Sequence, residues 1–211
     1  MGTQAAVETT LPANSQFMNV EPLGRYLYTA NNTIFGINMY RTNGAGTLVS
    51  LGNMAISGAE QPTYAVFTSD GQAMYAVTGT RVLAYAINQS TGTLTTLTNI
   101  VTGAFNLTIL PNDRFVYVFD TGASVVRVFT VNADKSLTLA FNQTAGGAGY
   151  DNPCVERGGK YIFLTKFTNP AGILTYRVLD DGSLTLVFNT GSIGNNMMFC
   201  TTSIESRTVW P

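Results

Sequence analysis

Apolar residues come in short alternating runs, each closed by a glycine, aspartate or proline turn. Tyr26-Leu27-Tyr28, Thr33 to Tyr40 and Leu48-Val49-Ser50-Leu51 are three such runs. Thr63 to Phe67, Ala73 to Val77, Arg81 to Ile87 and Thr93 to Leu97 continue the series. The period is two, which puts alternate side chains on opposite faces of a strand. No stretch of useful length carries the 3.6-residue period of a helix. The pattern predicts an all-β chain.

The runs also repeat as a group. A small or acidic residue, a polar residue and an apolar run ending in an aromatic recur at Gly24 to Tyr28, Gly71 to Tyr75, Asp113 to Tyr117 and Gly159 to Phe163. Ser206 to Trp210 is a last copy. Successive closing aromatics stand 47, 42, 46 and 47 residues apart. A period of roughly 40–50 residues is that of a propeller blade. The second half of each unit repeats too: Tyr85-Ala86-Ile87-Asn88 leads to Gly92-Thr93-Leu94, and Tyr176-Arg177-Val178-Leu179 to Gly182-Ser183-Leu184.

The expected fold is therefore a β-propeller of four-stranded antiparallel blades, one domain over residues 1–211. Its units run at about 12–59, 60–103, 104–150 and 151–194, with a partial unit at 195–211. Residues 1–11, or another chain, would complete that fifth blade, since open sheet edges invite pairing. The recurring aromatics read as packing between blades, because their recurrence follows the repeat.

Composition narrows the function classes. Charged residues make up 11% of the chain, against about 25% in an average soluble domain. The net charge is −1 and the eleven basic residues are scattered, so nucleic acid is not a favoured partner. No run of about 18 apolar residues exists to span a membrane, and residues 1–11 lack a secretion-signal pattern. A surface of neutral polar groups depends little on pH, which suggests work outside the cell, in acid. N-x-[ST] triplets begin at Asn31, Asn88, Asn106 and Asn142, a weak sign of exposure to a glycosylation system.

The repeats resemble the YVTN-type and lactonase-like β-propeller families. Gln61-Pro62, Ser69-Asp70-Gly71, Met74 to Val77 and Gly92-Thr93-Leu94 carry the best match, and Asn152-Pro153 with Asp181 to Leu184 a second. The resemblance implies blades built as above. These families usually close seven blades, and their lactonase-type members use polar and charged channel groups, His among them. This chain has no His.

Without His, the usual Ser and Cys nucleophile arrangements are closed. Asp70, Asp113, Asp134, Asp180 and Asp181 sit at hairpin turns, where Asp is favoured structurally. Asp120, Asp151 and Glu156 lie near inner strands or the channel mouth and are the carboxylates that could line a site. Cys154 and Cys200 fall on equivalent strands of neighbouring repeats. Two buried thiols acting as small hydrophobes are expected, with a disulfide as the alternative, and without His they cannot form a four-ligand zinc site. No catalytic, cofactor-binding or metal-binding residue is assigned, and no cofactor is expected.

The reading is a non-enzymatic structural or docking propeller of an extracellular assembly, specifically a virion component of a tail, nozzle or receptor-facing part. Its expected partners are other copies of itself and other structural proteins. One alternative is a lactonase-like hydrolase of sugar lactones, and another is a cell-surface binding module.

Overall fold

The computed structural model describes residues 17–31, 35–43, 46–58, 60–146, 150–166 and 172–192, with backbone alone at 31, 150, 151 and 166. Among these residues sixteen strands form four sheets, each of four antiparallel strands in sequential order. Blade one is β1 (Met18–Val20), β2 (Tyr26–Asn31), β3 (Gly36–Thr42) and β4 (Leu48–Ala55). Blade two is β5 (Tyr64–Phe67), β6 (Ala73–Val77), β7 (Gly79–Ile87) and β8 (Leu94–Ala104). Blade three is β9 (Asn106–Ile109), β10 (Phe115–Asp120), β11 (Val125–Val131) and β12 (Leu137–Thr144). Blade four is β13 (Tyr150–Val155), β14 (Tyr161–Lys166), β15 (Ile173–Val178) and β16 (Leu184–Asn189). This is the expected all-β propeller architecture. The expected fifth blade, at 195–211 with 1–11, lies outside the described residues.

The first strand of each blade is the innermost: β9 touches both β5 and β13. Each first-to-second and third-to-fourth hairpin contains a residue with positive φ. Between first and second strands that residue is Gly24, Gly71 or Gly159, and in blade three Asp113 at 56°. Between third and fourth strands it is Gly46, Gly92 or Gly182, and in blade three Lys135 at 68°.

Three apolar clusters fill the interfaces, between blades one and two, two and three, and three and four. Tyr28, Tyr75 and Tyr117 are wholly buried in them. Each phenol donates to a backbone carbonyl in the last hairpin of the next blade: Tyr28 to Gly92, Tyr75 to Lys135 and Tyr117 to Gly182, at 2.9–3.1 Å. Burying so large a side chain contributes about 1.5–3 kcal/mol, and the hydroxyl, which could not be buried unpaired without cost, fixes the register of one blade on another.

Two features depart from the sequence expectation. The outer strands β8 and β12 run well past their apolar starts, because their exposed positions mix Thr, Asn and Gln with Val101 and Leu139 and lack a clear apolar alternation. The outer strands also carry extra residues: Leu51, Leu97, Ala140 and Val187 are skipped in the pairing of third and fourth strands, and β8 has a second irregularity where Gly79 pairs with Ala104 and Arg81 with Val101. Such bulges add local twist.

Cys154 is a correction. It is disulfide-bonded rather than a free buried thiol. Cys200, the chain's other cysteine, lies outside the described residues.

Candidate functional site

At one end of the propeller each first strand begins and each second strand finishes. There the four described blades line an open cleft of about 400 Å³ beside their inner strands. Its lining draws on all four described blades: Phe17, Met18 and Asn19 from the first, Thr63 and Tyr64 from the second, Phe105 and Asn106 from the third, Asn152 from the fourth. Strand register explains the convergence. Tyr64 pairs with Val77 and Asn106 with Phe119, each two residues beyond the recurring aromatic of its blade. Phe17, whose carbonyl accepts from Ala30, holds the same place in blade one.

Blade four differs at this place. Asp151 pairs with Thr165 and Pro153 with Leu164, so Asn152 is an extra residue in the inner strand. Its φ is 41°. A non-glycine residue in the left-handed region costs about 1–2 kcal/mol, although Asn tolerates it best. A strained bulge beside a cleft is a common way of aiming a side chain at a ligand.

Side chains stitch the blades together around the cleft. Asn19 Nδ2 donates to Ala65 O at 2.8 Å, Thr63 Oγ1 to Phe105 O at 3.3 Å, and Asn106 Nδ2 to Asn152 Oδ1 at 3.3 Å. Asn106 is buried and its Oδ1 accepts from the backbone N–H of Leu107. These bonds leave hydrogen-bonding capacity: an acceptor on Asn19, the second N–H of Asn106 and the Tyr64 hydroxyl. Burial pushes the Tyr64 phenol up, so it is a protonated donor at neutral pH. Asn106 also opened one of the glycosylation triplets. Its burial and its bonds leave it unavailable to a glycan in the folded chain.

Two ion pairs stand at the same end. Glu60 meets Arg81 at 3.0 Å, and Arg81 also donates to Asn99. Burial raises the Glu60 pKa, but hydrogen bonds from Thr78, Thr80 and Arg81 outweigh it and hold the carboxyl below its usual range. Asp120 meets Arg127 at 3.0 Å, and Arg127 also donates to Gly103 O.

The carboxylates singled out in the sequence separate accordingly. Asp120 is buried at the cleft end, paired with Arg127. Asp151 has its backbone there, in the bulge. Glu156 is at the opposite end, its Oε2 accepting from Lys160 N in a hairpin. Asp70, Asp134 and Asp181 bond within their own turns, and Asp113 accepts from Ser69 of the preceding blade. Among the described residues no three His, Cys, Asp or Glu stand close enough to hold a metal ion. Sequence reasoning missed Asn19, Thr63, Tyr64, Asn106 and Asn152 as site residues. The only signal was their common place at the start of the first strands.

A family model described as "Lactonase, 7-bladed beta-propeller" matches residues 36–145. No match is found among curated proteins. Among solved structures, a protein from Lactobacillus plantarum superposes with a TM-score of 0.77 at 19% identity, covering 87% of this chain and 57% of that one. A putative 6-phosphogluconolactonase from Bacteroides uniformis gives 0.74 at 19% identity, covering 87% and 55%. A periplasmic gluconolactonase from Pseudomonas aeruginosa gives 0.74 at 16%, covering 85% and 54%. The chain thus spans little more than half the length of these structures, and at such identities the likeness is one of fold.

These matches overturn the non-enzymatic, virion-component reading. That reading rested on a charge-poor surface, the lack of a secretion-signal pattern, a short set of blades and the lack of His. Low charge is compatible with the propeller these matches describe, and a cleft lined by amides and phenol needs no His to bind a polar substrate.

Proposed function

The chain belongs to the seven-bladed β-propeller lactonase family, and from that premise we propose that it is a lactonase-like hydrolase opening sugar lactones in the cleft. The observation that carries the proposal is the convergence of Asn19, Tyr64, Asn106 and Asn152 from four blades on one cleft.

Lactone hydrolysis adds a water oxygen to the ring carbonyl carbon, then breaks the ring C–O bond to leave an open hydroxy acid. The carbonyl oxygen carries negative charge in between. Preorganised N–H and O–H donors aimed at that charge are the largest single aid to such a reaction. Asn106 Nδ2–H and the Tyr64 hydroxyl, both in the cleft lining, would supply them. The Asn106–Asn152 bond holds the donor amide, so little reorganisation is needed on binding. A carboxylate then takes the proton of the attacking water. The carboxylates at this end are the candidates: Asp120, which would have to leave Arg127 to serve, and Asp151, by the register of its strand.

The test is hydrolysis of glucono-δ-lactone and its 6-phosphate by the purified chain, followed in a pH-stat above the spontaneous rate. Asn106→Ala should lower kcat at least tenfold, and Asp120→Asn and Asp151→Asn separate the two bases. A folded chain that accelerates neither lactone sinks the proposal.

The disulfide at Cys154 supports an oxidising compartment. An intact mass equal to that of the fully reduced chain, in protein from its native source, would count against that placement.

A further inference from the structure

We infer that the cleft takes a neutral polyol lactone and rejects the phosphorylated form of the same sugar; the inference rests on the lactonase reading and adds its substrate class.

The described lining carries no formal charge. It offers the rings of Phe17, Tyr64 and Phe105, with the amides of Asn19, Asn106 and Asn152. A sugar ring has apolar C–H faces that lie on aromatic rings, and hydroxyls that donate and accept at once. Planar amides match them, since each presents a donor and an acceptor side by side. A phosphate asks for something else. It is held by an Arg fork, a lysine or the N–H groups at a helix start.

The two guanidinium groups at this end are already matched. Arg81 is bonded to Glu60 and Asn99, and Arg127 to Asp120 and a backbone carbonyl. Each pair sums to zero charge. Freeing either arginine for a phosphate would leave a part-buried carboxylate beside a dianion, an arrangement penalised by both desolvation and repulsion. Among the described residues no helix offers a start. Lys166, described by its backbone alone, pairs with Tyr150 at the outer limit of β13 and β14.

The experiment compares kcat/KM for glucono-δ-lactone and 6-phosphoglucono-δ-lactone, and in parallel measures binding of 1,5-anhydroglucitol and its 6-phosphate by calorimetry. The expected result is a preference of at least tenfold for the neutral member of each pair. Tyr64→Phe, which keeps the ring and removes the hydroxyl, should weaken binding of neutral anhydroglucitol severalfold at unchanged melting temperature. Equal or better use of the phosphorylated lactone overturns the inference while leaving the lactonase reading intact. A Lys166→Ala variant that then loses phosphate binding would name the missing cation. Neutral binding without hydrolysis of either lactone keeps the cleft's ligand class and removes the enzyme. No binding of either anhydroglucitol together with no hydrolysis of either lactone removes both.

Discussion

Side-chain fit between blades is written at single residues. Gly92 sits under the Tyr26 ring, and a Cβ built there would lie 2.3 Å from Tyr26 Cδ1. Gly182 meets the Phe115 ring in the same way, at 2.9 Å. Between blades two and three the equivalent ring position is Ala73, and there the hairpin residue is Lys135 rather than glycine. Its Nζ reaches Asp70 of the preceding blade at 2.7 Å. A ring therefore demands glycine opposite, and a small residue admits a side chain. Gly46 shares the left-handed backbone but has nothing within 4 Å of a built Cβ. Gly46→Ala should cost only the conformational term, about 1 kcal/mol. Gly92→Ala should cost about 2–4 kcal/mol, since overpacking is added to it. Urea denaturation of both variants checks the difference. Adding Tyr26→Ala to Gly92→Ala should recover part of the loss. Equal costs at the two glycines would show that the ring contact is unimportant.

At the scale of strands and blades, the tyrosine latch is the unit of cohesion. Removing the hydroxyl of Tyr28 or Tyr117 leaves a buried carbonyl, Gly92 O or Gly182 O, without its donor. Each Tyr→Phe change should cost about 1–2 kcal/mol. The two should add, because they lie in different interfaces with no shared partner. Thermal melts of the single and double variants would show it, and a double variant no worse than either single would refute independent latches. The blades were legible because their hairpins and aromatics repeat: Gly24, Gly71, Asp113 and Gly159 mark the same turn in four copies. The bulges at Leu51, Leu97, Ala140 and Val187 were not. An inserted residue on a half-exposed strand moves every later side chain to the other face while leaving the composition of the strand unchanged. The cleft was equally hidden. Asn19, Asn106 and Asn152 lie far apart in the chain and look like any turn asparagine, and only the packing of blade beside blade brings them to one cleft. Asn152-Pro153 reads as a blade-start signal, but its bulge depends on pairing with β14, which no local pattern records.

For the molecule as a whole, the charge-poor surface suggests a fold indifferent to acid, yet the few carboxylates present are tied into it. Glu21 is buried. Burial alone would raise its pKa, but the backbone N–H groups of Arg25 and Leu23 and the Arg25 guanidinium hold it below the usual value. Asp70 is likewise pushed up by burial and pulled lower overall by Lys135, Thr68 and Gln72. Glu60 behaves the same way. A carboxyl whose folded pKa is depressed stabilises the fold above its unfolded pKa, and that stability is lost as pH falls through the folded value. The opposite limb comes from Tyr28, Tyr75, Tyr85 and Tyr117, whose phenols burial pushes well above their usual value of 10.0. A raised phenol pKa stabilises below the unfolded value and loses that stability as pH rises past it. The melting temperature should therefore be flat between about pH 5 and 9 and fall on both sides. Glu21→Gln should lower the plateau, because an amide cannot accept all the bonds the carboxylate does, and should flatten the acid limb. Melts from about pH 2.5 to 11 on the wild type and this variant decide it, a range that brackets both sets of groups. An acid limb of unchanged steepness in Glu21→Gln would assign acid sensitivity to Glu60 and Asp70 instead. A wild-type melting temperature constant down to the acid end of that range would mean that the unfolded chain holds these carboxylates as strongly as the folded one does.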